Sequence, residues 1–528
     1  MPLIPITGIP STWRLPGGYA EILFAQGASS AQAGVRTICY CMPKLAASGN
    51  WTAATIYGPL KSDADAITGA GEGSPLHRAI KMGMKANPRA RHYALPYLPS
   101  SGAGAAAATG TITVTIGGGG SPTGVGSVVG RACGEAWSSG IKTSHTATTL
   151  GDDIAAAING KTWLPFAAVN VVGTVTLTAK VMGSSQGTAT ISALTFGVDD
   201  YTSGVGVTIT TSGRALGLAP GVAGVDGATT EIANFTAALA AINATRRYYL
   251  VTSLTQTAEL TPFKTHIVNK STPSPGLRSM GVAANTQILS AVTTIANAIN
   301  YERLTIAWQK NSEHDPAELA ANWAAVLQAK TEIDPAWNFD FYQGDQSANW
   351  LIKAAYSKSD WPDGNDLNDA ISDGITPIVS TDSGSYVVFA ACTRSKAAGG
   401  TLDDFRATEL HRSSVCDYHV DNVMLNFGLT FKGFKLRPDE LIPGTQKVNT
   451  NQKLAPEVMT PWNFRPFLLK GIDRDYGAGL LKLVDQTKLG LACNIDPNNG
   501  GRIEAGYPLY SIDLFHQFTL RVAESSTG

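Results

Sequence analysis

The chain has 528 residues, a net charge of −1 from 40 basic and 41 acidic side chains, and 44% hydrophobic residues. That length exceeds one domain at roughly 100–200 residues each, and the balanced charge excludes a global field drawing the protein to nucleic acid or to a membrane surface. No stretch approaches the roughly 18 apolar residues of a membrane helix. The N-terminus has neither the basic nor the apolar region of a signal peptide, so the expectation is a protein made and assembled in the cytoplasm. Six scattered cysteines are too sparse for a disulfide framework.

Residues 1–25 read as an extended arm. Pro2, Pro5, Pro10 and Pro16 fix φ, remove backbone donors and push their preceding residues toward extended conformations. The arm carries Arg14 and also Trp13, Leu15 and Tyr19, whose side chains it cannot bury within itself. Residues 26–100 read as the first part of an α/β core. The run Val35–Met42 predicts a buried strand, in which Cys39 and Cys41 point the same way. Ser74-Pro75 starts a helix that runs to about Lys85, and His92–Pro96 predicts the next strand.

The character changes near Ser101. Residues 101–213 contain nine charged residues, whereas the other 415 hold 72. Thr111–Ile116 and Thr174–Ala179 alternate with period two, which predicts half-buried strands, and Leu150–Ile158 predicts a short helix. Residues 101–217 therefore read as an inserted β-rich domain, joined by Ala/Gly-rich linkers at 102–109 and 213–227.

The α/β pattern resumes over 218–401. Helices are predicted at Glu231–Ile242, Asn285–Asn300 and Asp366–Ser372, and strands at Tyr248–Thr252, Leu304–Gln309, Ile375–Val379 and Ser385–Ala391. Asp315-Pro316-Ala317-Glu318 has the form of a capping box opening a further helix. Strands alternating with helices predict a parallel or mixed sheet covered by helices. Residues 402–505 read as an α+β C-terminal domain, with helical spacing over Leu410–Leu425 and a helix over Thr460–Tyr476 broken at Pro466. Residues 506–528 form a C-terminal arm. Its predicted strand puts Ile512, Leu514, Phe518, Leu520 and Val522 on one face.

The sequence contains no compelling catalytic motif. Gly69–Gly73 is glycine-rich, but no Lys-Ser/Thr follows, so it reads as a flexible loop. Gly183-Ser184-Ser185-Gln186-Gly187 matches a nucleophile elbow, but it follows a Thr-rich strand with no amphipathic helix behind it and reads as a hairpin turn. Cys416 with His411 and His419 fits no zinc spacing. Asp315, Asp334, Asp363, His411 and His419 are candidate acids and bases without a paired spacing, and His314 reads as a solvated residue ahead of a helix. Arg246-Arg247 stands alone, which gives poor support for nucleic-acid binding. No catalytic, cofactor-binding or metal-binding residue is assigned, and no cofactor is expected.

Ile9-Pro10, Arg14-Leu15-Pro16-Gly17-Gly18-Tyr19-Ala20-Glu21, Gly110–Val114, Leu164–Lys180, the turn at Gly183–Gly187, Ala307-Trp308-Gln309, Asp315-Pro316, Leu319-Ala320-Ala321, Asp334-Pro335, Met459-Thr460-Pro461, Gly490-Leu491 and Asn499-Gly500-Gly501-Arg502 are spread along the chain. Together with the closing strand, they resemble the contractile tail sheath proteins of Mu-like bacteriophages. Ile22–Gln26, more apolar than the family tends to be, and the loop Leu436–Lys453 depart from the pattern. The resemblance implies a non-enzymatic subunit of the virion tail. Copies would form a helical homopolymer of stacked hexameric rings around a tail tube protein, between baseplate and tail terminator proteins, without contacting nucleic acid or membrane. Neighbours would be linked by exchanged terminal arms, a role for which the extended lead and lone terminal strand are suited. A hydrolase with a β-rich accessory domain and a glycan-binding adhesin are the competing readings. The hydrolase requires a serine or acid paired with His411 or His419.

Overall fold

The computed structural model describes residues 36–183, 196–211, 222–339, 351–395 and 408–514, apart from 119, 133, 202–204, 223, 243–244, 275, 356, 383, 444, 446, 451–453 and 456. The predicted N-terminal arm, residues Ser184–Gly187 of the proposed turn and residues 515–528 lie outside the described residues.

Strand β1 (Ile38–Pro43) is buried on both faces, as suits a central parallel strand. Helix α1 (Asp63–Ala70) follows and takes in Gly69 and Ala70, which the sequence assigned to a flexible loop. Helix α2 (Pro75–Ala86) starts as expected, with the Ser74 hydroxyl accepting from the His77 amide. It packs so close to β1 that a Cβ on Gly83 would lie 1.8 Å from the Tyr40 hydroxyl. Strand β2 (His92–Tyr97) then pairs with β1 in parallel.

Between Ala107 and Thr211 the chain forms two antiparallel sheets of its own, from β3 (Ala107–Ile116), β4 (Gly126–Ala132), β5 (Glu135–Ile141), β6 (Phe166–Val171), β7 (Thr174–Met182), β8 (Phe196–Tyr201) and β9 (Val207–Thr211), with helix α3 (Ala147–Asn159) after β5. The orders are β6-β7-β3-β9 and β5-β4-β8. Ile112, Val114, Val175 and Leu177 point inward onto Leu150 and Ile154 of α3, while the alternate threonines point outward. The two legs leading into and out of this unit pair with each other. Ser101 bridges Thr229, Ala106 bridges Val225 and Thr109 bridges Val222, so the described parts of the expected linkers form a paired stalk.

The core continues with α4 (Glu231–Leu239), β10 (Tyr249–Thr252), α5 (Thr257–Ser271), β11 (Met280–Asn285), α6 (Leu289–Ile299), β12 (Leu304–Trp308), α7 (Pro316–Ile333), α8 (Gly364–Ser372), β13 (Thr376–Thr381) and β14 (Gly384–Val387). A seven-stranded sheet results, ordered β14-β13-β12-β11-β10-β1-β2 and parallel except for β14. Alternation along β1 sends Ile38, Tyr40 and Met42 to the face covered by α2 and α7, and Cys39 and Cys41 to the face lined by Phe235, Phe263, Val292 and Ile295. Helix α7 is buried around nearly its whole circumference, which explains its run of alanines. The Asp315 carboxylate caps it by accepting from the Glu318 amide, but the Glu318 side chain turns to His314 and Arg78.

The last region comprises α9 (Leu410–Thr430), β15 (Lys435–Leu436), β16 (Val458–Met459), α10 (Pro461–Gly477), β17 (Leu481–Lys482), α11 (Val484–Leu489), β18 (Ala492–Asp496), β19 (Asn499–Gly506) and β20 (Tyr510–Ser511). Its strands pair only in twos among the described residues: β15 with β16, β17 with β20 and β18 with β19. Helix α10 runs through Pro466 without the predicted break. The amide that proline lacks would have bonded the carbonyl of Trp462, an exposed first-turn residue, so solvent can serve that carbonyl.

Candidate intersubunit linkage site

The terminal segment leaves its last described strand against α9. Ser511 pairs with Leu481 and Tyr510 with Lys482 in antiparallel register. The predicted strand over 512–522 does not begin at Ile512, because the ladder ends at Ser511. The Ile512 amide still donates to the Leu480 carbonyl at 3.0 Å, but the Ile512 carbonyl lies 3.0 Å from the His411 Nε2 and is diverted from further strand pairing. Ile512 packs beside Ala336, Val415 and Leu480, and Leu514 lies among Trp337, Phe339, Phe389 and Ala390. Arg412 donates to the Ser511 hydroxyl and to Asp513 at 3.2 Å each, and Lys482 also pairs with Asp513. These hydrogen bonds hold the Asp513 carboxyl below its ordinary range, Lys482 contributing most. Of the candidate linkage residues, the structure thus places Ile512 and Leu514 on their own chain. Trp13, Arg14, Leu15, Tyr19, Phe518, Leu520 and Val522 lie outside the described residues.

Helix α9 is in turn fixed to the sheet. Arg36, Tyr248, Arg278 and Arg303 lie one or two residues before β1, β10, β11 and β12, so all stand at the amino-terminal edge of the parallel strands. Asp417 accepts from both terminal nitrogens of Arg303 at 2.7 and 2.9 Å and from the Tyr248 hydroxyl at 2.9 Å, with the Arg278 Nε at 3.1 Å. Asp421, one turn on, pairs with Arg246 and Arg278. Arg36 donates to the Ser414 hydroxyl at 2.6 Å and to its carbonyl at 3.1 Å, and Arg36 and Arg246 both lie over the Tyr248 ring. Burial alone would raise the Asp417 pKa, but Arg303 leads a set of arginines that holds it well below the carboxylate range.

The sequence left Arg246 and Arg247 standing alone. In the fold Arg246 joins this network, and Arg247 lies 3.9 Å from the centre of the Tyr93 ring. His314 corrects another expectation: it is 4% exposed, bonded to Glu318 at 2.8 Å, and covered by Gly134 of the β4–β5 turn. A Cβ on Gly134, whose φ is +72°, would come within 2.4 Å of the imidazole. Arg131 beside Glu313, Lys353 on the Gly134 carbonyl, and Lys81 over the Trp163 ring complete this seating of the β-rich unit on the core.

The proposed acids and bases do not converge. Asp315 binds Arg78, Asp363 caps α8 and Asp334 accepts from the Ala336 amide. His411 and His419 are bonded to different partners, the Ile512 carbonyl and Asp475. Among the described residues no group of three His, Cys, Asp or Glu side chains is arranged to hold a metal. In a doubly wound sheet a ligand crevice falls where the strand order reverses, here at the carboxyl ends of β1 and β10. Near that edge Tyr97 donates to Glu231 at 3.0 Å and Ser100 to the Thr229 carbonyl at 2.9 Å, so the root of the stalk occupies the region.

No protein-family profile matches the sequence, and no curated protein matches it. Among solved structures, the chain is similar to a sheath tail protein from Desulfitobacterium hafniense, with 16% identity, a TM-score of 0.42, and coverage of 94% of this chain and 100% of that one. It is also similar to a sheath tail protein from Listeria innocua, with 14% identity, a TM-score of 0.45, and coverage of 92% and 94%.

Proposed function

We propose that this chain is a structural subunit of a bacteriophage contractile tail sheath. Copies polymerise helically around a tail tube, linked by exchanged terminal arms, and contract to drive the tube through the host envelope. The observation that carries this reading is the architecture after Leu410. The described strands there pair only in twos, leaving short edges to which a strand from another chain can be added. The chain's own terminal segment is rooted at Ser511–Leu514 beside those edges. The resemblance of motifs along nearly the whole sequence to tail sheath proteins gives the open edges their meaning.

The same geometry suits a load-bearing link. Pull on residues beyond Leu514 would pass through Arg412 and Ile512 to α9, and from α9 through Asp417 and Asp421 to the strand edge of the core. Subunits could then rotate as rigid bodies while their arms stay joined. Heterologous contacts of this kind do not close on themselves and so build helical polymers.

Sedimentation velocity of the purified full-length protein tests the proposal. It should resolve large assemblies whose share rises with concentration. A monomer at every concentration and salt level tested would contradict it.

A further inference from the structure

The region beyond α9 contains a buried hydrogen-bond relay that neither the linkage site nor the core uses. His419 of α9 lies between Asp475 of α10 and Tyr507, which follows β19. The imidazole Nδ1 is 2.8 Å from the Asp475 Oδ2, and its Nε2 meets the Tyr507 hydroxyl. Arg474 adds two bonds of 2.8 Å to the same carboxylate. His419 is 2% exposed, and Asp475 is fully buried. Three separate segments therefore meet at one imidazole, and Tyr507 lies three residues before the strand that anchors the terminal segment.

We propose that the Asp475–His419–Tyr507 relay is an acid-sensitive latch that holds the terminal segment's root to the α9–α10 pair at neutral pH and releases it on acidification. In the neutral ring, Nδ1–H donates to Asp475 and the Nε2 lone pair accepts from the Tyr507 hydroxyl. Both bonds are met with no net charge on the ring. A proton added at Nε2 turns that acceptor into a donor, and the Tyr507 hydroxyl must swing round to accept. The resulting cation is buried, and the charge on Asp475 that would balance it is already shared with Arg474.

Asp475, Arg474 and Tyr507 are the charged or titratable groups facing the ring from α10 and from the strand end. Burial lowers the His419 pKa from its ordinary value, Arg474 lowers it further, and Asp475 opposes both. A base whose folded pKa is depressed contributes its full stabilisation above the unfolded value near 6.5, and loses it as pH falls below that value toward the folded pKa. The latch is a property of one chain, so its failure would leave the sheath reading untouched.

Amide hydrogen exchange of the full-length protein, corrected for intrinsic chemistry, reads the latch at 480–482 and 507–512. Protection there should fall by about tenfold or more between pH 7.5 and 5.0. His92, also depressed by burial, and His266, held at about 4 by burial and Lys270, lie in β2 and α5, so a local readout separates them from His419. His419→Gln keeps a donor and an acceptor but cannot titrate, and its protection at these amides should lose the wild-type fall, apart from any part supplied by His411 on the Ile512 carbonyl. Tyr507→Phe removes the hydroxyl that Nε2 bonds, which changes the folded pKa, so the lower end and midpoint of the loss should move while its onset near 6.5 stays. A His419→Gln protein with wild-type pH dependence overturns the proposal. If that variant does not fold, an unmoved midpoint in Tyr507→Phe overturns it equally.

Discussion

Asp417 shows how much of this chain's organisation rests on single buried charges. Its carboxylate gathers Arg303, Arg278 and Tyr248, which belong to segments that only the parallel sheet brings together. Removing one partner of such a network leaves the remaining charges buried without compensation, at a cost of about 3–5 kcal/mol. Asp417→Asn should therefore lower the thermal midpoint of the core and increase protease cleavage around α9. A midpoint unchanged from wild type would show that α9 is held by its apolar packing instead. Acid alone should not mimic this variant until the pH falls below the unfolded carboxylate value of about 3.9, because the folded pKa is depressed. None of this network was legible in the sequence, since arginines at 36, 246, 278 and 303 share no spacing. His314 escaped for a related reason. What buries it is Gly134, some 180 residues earlier, seated by a turn of the β-rich unit.

At the scale of elements, local signals read well wherever they reported on both burial and backbone. Ser74-Pro75 and Asp315-Pro316 start helices as expected, and the alternation in β3 and β7 predicts the observed inward and outward faces. Helix α5 and strand β11 were not anticipated. Pro262 reads as a breaker but falls in the second turn of α5, and Met280–Asn285 is an Ala/Gly-containing run that becomes a strand only because β10 and β12 flank it. Of the predicted terminal strand only 512–514 fall among the described residues, and they are not in a strand there, where His411 meets the carbonyl of Ile512. The arms belong to this scale as well. Deleting residues 1–21 should leave a protein with unchanged circular dichroism and thermal midpoint that no longer assembles. Unimpaired assembly by that truncation would remove the N-terminal arm from the account.

For the whole molecule, the α/β core and the strands set within it between Ala107 and Thr211 were legible in the switch from helical to period-two patterning and in the sharp drop in charge. What the sequence could not convey was how that unit is attached. Ser101 and Thr229 exchange backbone bonds of 3.1 and 3.0 Å, so the stalk closes on itself at the core surface. Joining Ser101 to Thr229 through two glycines should therefore yield a folded chain, destabilised where Glu313 and His314 lose their cover, that still assembles. Loss of assembly in that variant would mean that the unit contributes contacts between subunits.

The central claim is that this chain is built to polymerise into a hollow sheath. Negative-stain electron microscopy of the purified full-length protein tests it most directly. The account predicts rings and hollow cylinders of constant diameter. Discrete monomers or trimers in every field, over a range of salt and protein concentration, would contradict it.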